Sequence, residues 1–217
     1  MARLLSLAVA AILAATAASA AGAAAAQPAQ PAAQAVELVE AIHGGLLRAE
    51  GWSLGFTSGD TVVLALTNLG PKPLSVRVAP GTVLAPDDAG ATPVAIRRLS
   101  GKTLGGDKLE VVEGIELAPG RTERYTFQAY SMDFKRRDPA ARARLTPTAL
   151  NPVLAALFRR ADDGDFGPET VQAAVWLETG GVTEERLAQR LKIGRLQILD
   201  ARDLVRQADA EAGQVKP

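Results

Sequence analysis

Between residues 45 and 131 the apolar positions recur mostly at every second residue, and beyond 145 they recur at three and four. Val62, Leu64 and Leu66 alternate with Val63, Ala65 and Thr67, so both faces of a strand there are expected to be at least partly buried. Leu74, Val76 and Val78 alternate with Ser75, Arg77 and Ala79, the pattern of an antiparallel strand with one wet face. Asn68 to Pro73 joins the two, and its two prolines and glycine stop both helix and ladder. Further strands are predicted over Leu46–Leu54, Val94–Leu99, Leu109–Leu117 and Glu123–Tyr130, with Tyr125, Phe127 and Ala129 facing the core. Turns at Pro80-Gly81, Gly105-Gly106 and Ala118-Pro119-Gly120 separate them. Short strands at this spacing predict an immunoglobulin-like antiparallel β-sandwich.

The period then changes. Asn151 is placed to cap a helix with Pro152 at its first position, and Leu150, Val153, Leu154, Leu157 and Phe158 form an apolar stripe. A second helix should run from Gly167-Pro168 to Gly180-Gly181. A third should start at Thr183, with Glu184 and Glu185 at the positive end of its dipole, and stop at Gly194. Asp200 is expected to cap a fourth carrying Ala201, Leu204, Val205 and Ala208. The fold class is therefore α+β, a sandwich followed by a bundle of about four short helices.

The first 35 residues read as something other than fold. Arg3 precedes the apolar run Leu4–Leu13, and Ala18-Ser19-Ala20 matches a signal-peptidase site. The resulting organisation is a signal peptide over 1–20, an Ala/Gln/Pro tether over 21–35, a β-sandwich domain over 36–131, a basic connector over 132–145 and a helical region over 146–217. This predicts a periplasmic or secreted protein with no stable membrane span once the signal is removed. A retained anchor is the alternative.

Composition narrows the chemistry. The chain has no cysteine, which removes thiol nucleophiles, disulfides and Cys-ligated metals, and its single histidine cannot serve a His-rich site. With 24 basic and 24 acidic residues it carries no net charge, which argues against a nucleic-acid partner. His43, beside Gly44-Gly45, is expected to be a partly exposed side chain at an element end. No S-x-x-K spacing occurs, and carboxylates are too many and aromatics too few to select a glycosidase pair. Asp162-Asp163-Gly164-Asp165 lacks the EF-hand ligand spacing, so no metal or other cofactor is implied. The basic run Lys135-Arg136-Arg137, with Arg142 and Arg144, could meet lipid head groups or a wall polymer; a solvated linker pairing with the acids near 162–165 is favoured. Trp52 and Trp176 are the indoles available for recognition, although a tryptophan on an amphipathic helix is more often core.

Residues 163–175, Asp-Gly-Asp-Phe-Gly-Pro-Glu-Thr-Val-Gln-Ala-Ala-Val, resemble the D-G-x-F-G-P-x-T-x-x-A-V signature of the small helical peptidoglycan-binding module of exported wall proteins. Asp163, Gly164, Phe166, Gly167, Thr170, Ala174 and Val175 occupy that family's fold-defining positions, while Glu178-Thr179 stands where it carries an aromatic–glutamine pair. The resemblance implies ligand contact through Phe166, Trp176, Asp163 and Asp165. Residues 45–191, including Gln172 to Trp176, also resemble uncharacterised exported bacterial β-sandwich proteins, which implies one fold and no activity. The expectation is an exported non-catalytic protein acting by protein or envelope contacts, with partners in the cell wall or another envelope protein. Peptidoglycan binding by the helical region is the first alternative and a carboxylate-dependent hydrolase the second.

Overall fold

In a computed structural model, residues 35–104, 108–164 and 166–214 are described, all of them within one unit, Ala33–Pro217. The signal peptide and nearly all of the tether lie outside the described residues, as do Asp165 and the Gly105-Gly106 turn. Among the described residues, ten strands and five helices follow in the order β1 (Val36–Glu37), α1 (Leu38–His43), β2 (Leu47–Ser53), β3 (Ser58–Asn68), β4 (Leu74–Arg77), β5 (Thr82–Pro86), β6 (Val94–Thr103), β7 (Leu109–Glu110), β8 (Ile115–Leu117), β9 (Thr122–Ser131), β10 (Arg144–Leu150), α2 (Pro152–Asp163), α3 (Pro168–Gly180), α4 (Glu184–Leu191) and α5 (Arg195–Gln214).

The class is mixed α+β, but the immunoglobulin-like sandwich is replaced by a closed barrel. The strands run β5-β10-β2-β3-β9-β6, and β6 pairs back onto β5, so six antiparallel strands form a ring with no free edge among them. Closure depends on β10 and β5, neither of which the strand pattern predicts. β10 reads Arg-Leu-Thr-Pro-Thr-Ala-Leu, and Pro147 falls at a register shift, where a missing N–H is tolerated. It lies where the sequence pattern ends a basic connector and begins helices. Leu150, expected on a helical stripe, is consequently an exposed strand residue.

The predicted strand over Leu109–Leu117 divides. β7 pairs antiparallel with the end of β6, whereas β8 joins a small mixed sheet in which β4 pairs in parallel with β1 and antiparallel with β8. Leu38 and Ala41 of α1 enter the barrel core, which holds Leu64, Leu66, Ile96, Phe127 and Leu145. Tyr125, Phe127 and Ala129 do face that core, and Phe127 is fully enclosed. Gly51 lets β2 and β10 approach closely, since a Cβ there would lie 2.6 Å from the Leu145 carbonyl oxygen.

A second core lies between the outer wall of the barrel and the helices. Ala95, Tyr130 and Phe134 meet Leu157, Phe158, Val171, Val175, Trp176, Leu187 and Leu204 there. Asn151 caps α2 as its sequence suggests, its Oδ1 accepting from the N–H groups of Val153 and Leu154 at 3.1 and 3.0 Å. Gly81, with φ of +84°, turns the chain beneath that helix; a Cβ would sit 2.6 Å from the Asn151 carbonyl oxygen. Asp200 is not a cap, because α5 already starts at Arg195; Gly194 accepts from the N–H of Ile198 and donates to Gln197.

Candidate functional site

The Asp-Gly turn after α2 comes down on the outer face of β6 and β9, leaving a groove of about 290 Å³. Its floor is Arg97, Arg98, Gln128 and Tyr130; Asp162 forms one wall, and Phe166 with Pro168 forms the other. Strand pleating explains the floor. Ile96 and Phe127 point into the barrel, so their neighbours point out, and a register shift between Ile96 and Arg98 brings two consecutive arginines to this side.

Arg97 is 5% exposed. It donates through Nε and Nη2 to Oδ1 of Asp162 at 2.8 and 2.7 Å, and through Nη1 to the Tyr130 hydroxyl at 3.2 Å. Arg98 adds a contact to the same oxygen at 3.3 Å and reaches Gln128 at 3.1 Å. Burial works against the Arg97 charge, but the hydrogen bonds and charges of Tyr130 and Asp162 outweigh it and hold the guanidinium protonated more firmly than usual. Burial likewise raises the Tyr130 phenol, with Arg97 pulling it the other way. At the groove's edge Ser100 donates to Asp60 at 2.5 Å. The groove thus offers amide and guanidinium donors, carboxylate acceptors and an aromatic ring, a set suited to holding a polar ligand.

The three ligand-contact candidates among the described residues disperse. Phe166 lines the groove, half-buried, its ring so close over Gly164 that a Cβ there would lie 2.2 Å from it. Asp163 is the exposed last residue of α2, and Asp165 lies outside the described residues. Trp176 is 0% exposed. It stands edge-on to Phe134 with ring centroids 5.1 Å apart, under the Arg190 guanidinium at 4.8 Å, and its Nε1 has no hydrogen-bond partner. Every residue of α3 from Thr170 to Trp176 is buried, so this helix is enclosed on all sides and offers no recognition face there.

Gln172 joins Trp176 in tying the helices to the barrel: its Oε1 accepts from the Ser131 N–H at 3.1 Å and its Nε2 donates to the Ser131 carbonyl at 2.7 Å. His43 ends α1 and is exposed. Among the described residues the basic connector does not pair with the acids of the Asp-Gly turn. Arg136 pairs with Asp133 at 3.3 Å and Arg137 with Asp88, while Asp162 is taken by Arg97 and Arg98. Among the described residues no three His, Cys, Asp or Glu side chains come together to hold a metal ion, and no helix is long and apolar enough to cross a membrane.

Sequence reasoning missed Arg97, Arg98, Gln128 and Asp60. Each reads as a wet-face strand position, and nothing local marks which wet face a helix will cover. No protein-family model, curated protein or solved structure matches the chain.

Proposed function

We propose that the chain is an exported, non-catalytic envelope or secreted protein that acts by contact, with the groove between barrel and helices as its recognition site. Export rests on the residue pattern of the first 20 positions. The observation that carries the contact role is that the groove's two carboxylates are already taken by neighbouring donors. Asp162 is held by two guanidiniums and Asp60 accepts from Ser100, so neither carboxylate stands ready as an acid or base beside a reacting atom. The hydrolase alternative predicts a cleft holding at least two acids of raised pKa. Burial and Asp209 lift Glu178, which is not among the groove's lining residues.

Peptidoglycan is the reading of the groove's ligand with a specific observation behind it. Phe166, from the turn that resembles the wall-binding signature, is the aromatic that joins Tyr130 in lining the groove, next to Arg98, which could meet a stem-peptide carboxylate. Co-sedimentation with intact sacculi tests it. Saturable binding is expected, falling roughly tenfold in Phe166→Ala and in Arg98→Gln. Binding that ignores both substitutions would remove the groove from the proposal, and absence of binding would leave a protein partner.

A further inference from the structure

We propose that the tip of the β2–β3 hairpin, together with the arginines around it, is a peripheral docking surface for an anionic lipid bilayer. The surface goes beyond the wall-contact reading and uses none of the groove's lining residues. It begins with two large apolar side chains that the fold leaves outside: Phe56 is 60% exposed and Leu54 36%.

The tip is held in place. Gly55 N–H donates to Ser53 Oγ at 2.9 Å, Thr57 Oγ1 donates to Asp138 at 2.6 Å, and Arg142 N–H donates to the Ser53 carbonyl at 2.7 Å. The last two fasten the hairpin to the chain leading into β10 and set Arg142 against Ser53, the residue before Leu54. Farther down the same outer face sits Trp52, half-buried, with Arg144 directly across the ladder and the Arg124 guanidinium 5.5 Å from its ring.

Arg124, Arg142 and Arg144 are exposed, and among the described residues none has a carboxylate within 4.0 Å. Arg142 also holds a left-handed backbone, with φ of +67°, where glycine would be the relaxed choice. Three carboxylates lie near: Glu50 is 3.8 Å from Arg48, Asp138 accepts from Thr57 at 2.6 Å, and Asp87, exposed, donates its N–H to the Arg144 carbonyl at 3.2 Å.

The combination selects the partner. Unpaired guanidiniums call for anions, but a soluble anion gives no use to an exposed phenylalanine and leucine at the apex. A bilayer of anionic lipid takes both: the apex enters the head-group region, the indole sits at the boundary between water and hydrocarbon, and the arginines meet phosphates. With so few apolar groups, binding should be reversible and lost at high salt.

The test uses the full chain and phosphatidylcholine vesicles with or without phosphatidylglycerol, some carrying brominated acyl chains. The chain has two tryptophans, and Trp176 is fully enclosed, so quenching reports on Trp52. Quenching and co-sedimentation are expected with phosphatidylglycerol and not without it. Leu54→Ser with Phe56→Ser, and separately Arg142→Gln with Arg144→Gln, should each weaken binding roughly tenfold or more. Both pairs are exposed, so thermal melts should match the parent.

Equal binding to neutral vesicles, or binding that survives both double substitutions, would overturn the proposal and assign any affinity to the apolar N-terminal run. Retention on a soluble acidic polysaccharide with no vesicle binding would overturn it in favour of a glycan. Sacculus binding by the same variants, expected to be unchanged, keeps this result separate from the groove.

Discussion

The barrel core and the helix-covered core are of similar chemistry but are enclosed in different ways. Around the first, backbone hydrogen bonds run from strand to strand until β6 meets β5, so each inward side chain is fenced by main chain. The second has no such fence. Its lid is four helices, held to the barrel wall by a limited set of side chains: Tyr130 against Phe158 at 5.5 Å, Trp176 against Phe134, Gln172 on Ser131 and Arg97 on Asp162. Closure by ladder spreads its stability over many bonds, whereas closure by side chains concentrates it where one substitution can reach.

The strongest way to break the comparison is to separate the regions. A fragment of residues 146–217 carries most of β10 without its partners β5 and β2, and it loses Tyr130 and Phe134. It should show no cooperative thermal transition by circular dichroism. A sharp helical melt would make the helices an independent module and the shared core incidental.

Within the intact chain, Trp176→Ala empties the largest fully buried side-chain site and should cost about 3–5 kcal/mol in denaturant unfolding. Gly81→Ala tests the joint between the regions. Its φ of +84° and the 2.6 Å approach to the Asn151 carbonyl predict a loss of about 1–3 kcal/mol, visible as a lower melting temperature. Gln172→Leu should cost about 1–3 kcal/mol by leaving the buried Ser131 carbonyl unpaired. Hydrogen exchange after that change should quicken in α3 more than in β3, since β3 keeps its ladders to β2 and β9.

The smallest effect is one of pH. Burial, with Asp209, raises Glu178 above the ordinary glutamate value of about 4.5. A raised carboxyl favours the protonated state in the fold, so its contribution is fully present below the unfolded value and is lost as pH rises through the folded one. Glu178→Gln should therefore raise the melting temperature slightly at neutral pH, and the gain should disappear toward pH 4. A gain that persisted in acid would mean that the charge of Glu178 is not what costs stability.

Much of the local structure was legible in the residues. β3, β6 and β9 follow their alternation, although the structure extends β3 and β9 beyond both predicted ends and β6 beyond its second, to Thr103. Asn151-Pro152 announces α2, and Gly181, with φ of +54°, ends α3. The candidate site was legible only in part. Phe166 was singled out by the resemblance of residues 163–175 to the wall-binding signature, and its ring lines the groove. Trp176 was equally visible but its full burial was not, since periodicity reports that a residue is apolar and not whether another layer lies over it. Arg97 is the opposite case: a charged residue in a strand reads as solvent-facing, and here a helix covers it and Asp162 neutralises it.

By itself, the sequence determined the alternation of β3, β6 and β9, the start of α2, both ends of α3 and the Asp-Gly turn, because these depend on neighbours a few residues apart, and its composition excluded thiol chemistry. Only the tertiary structure decided that β5 and β10 close a barrel instead of leaving two sheets face to face. It also decided which wet face became the floor of a groove and which apolar tip was left in the open. Pleating fixes the side of a strand to which each residue points, but its backbone groups can pair with any strand that arrives in register. Which strand arrives is settled by the joint packing of segments tens of residues apart.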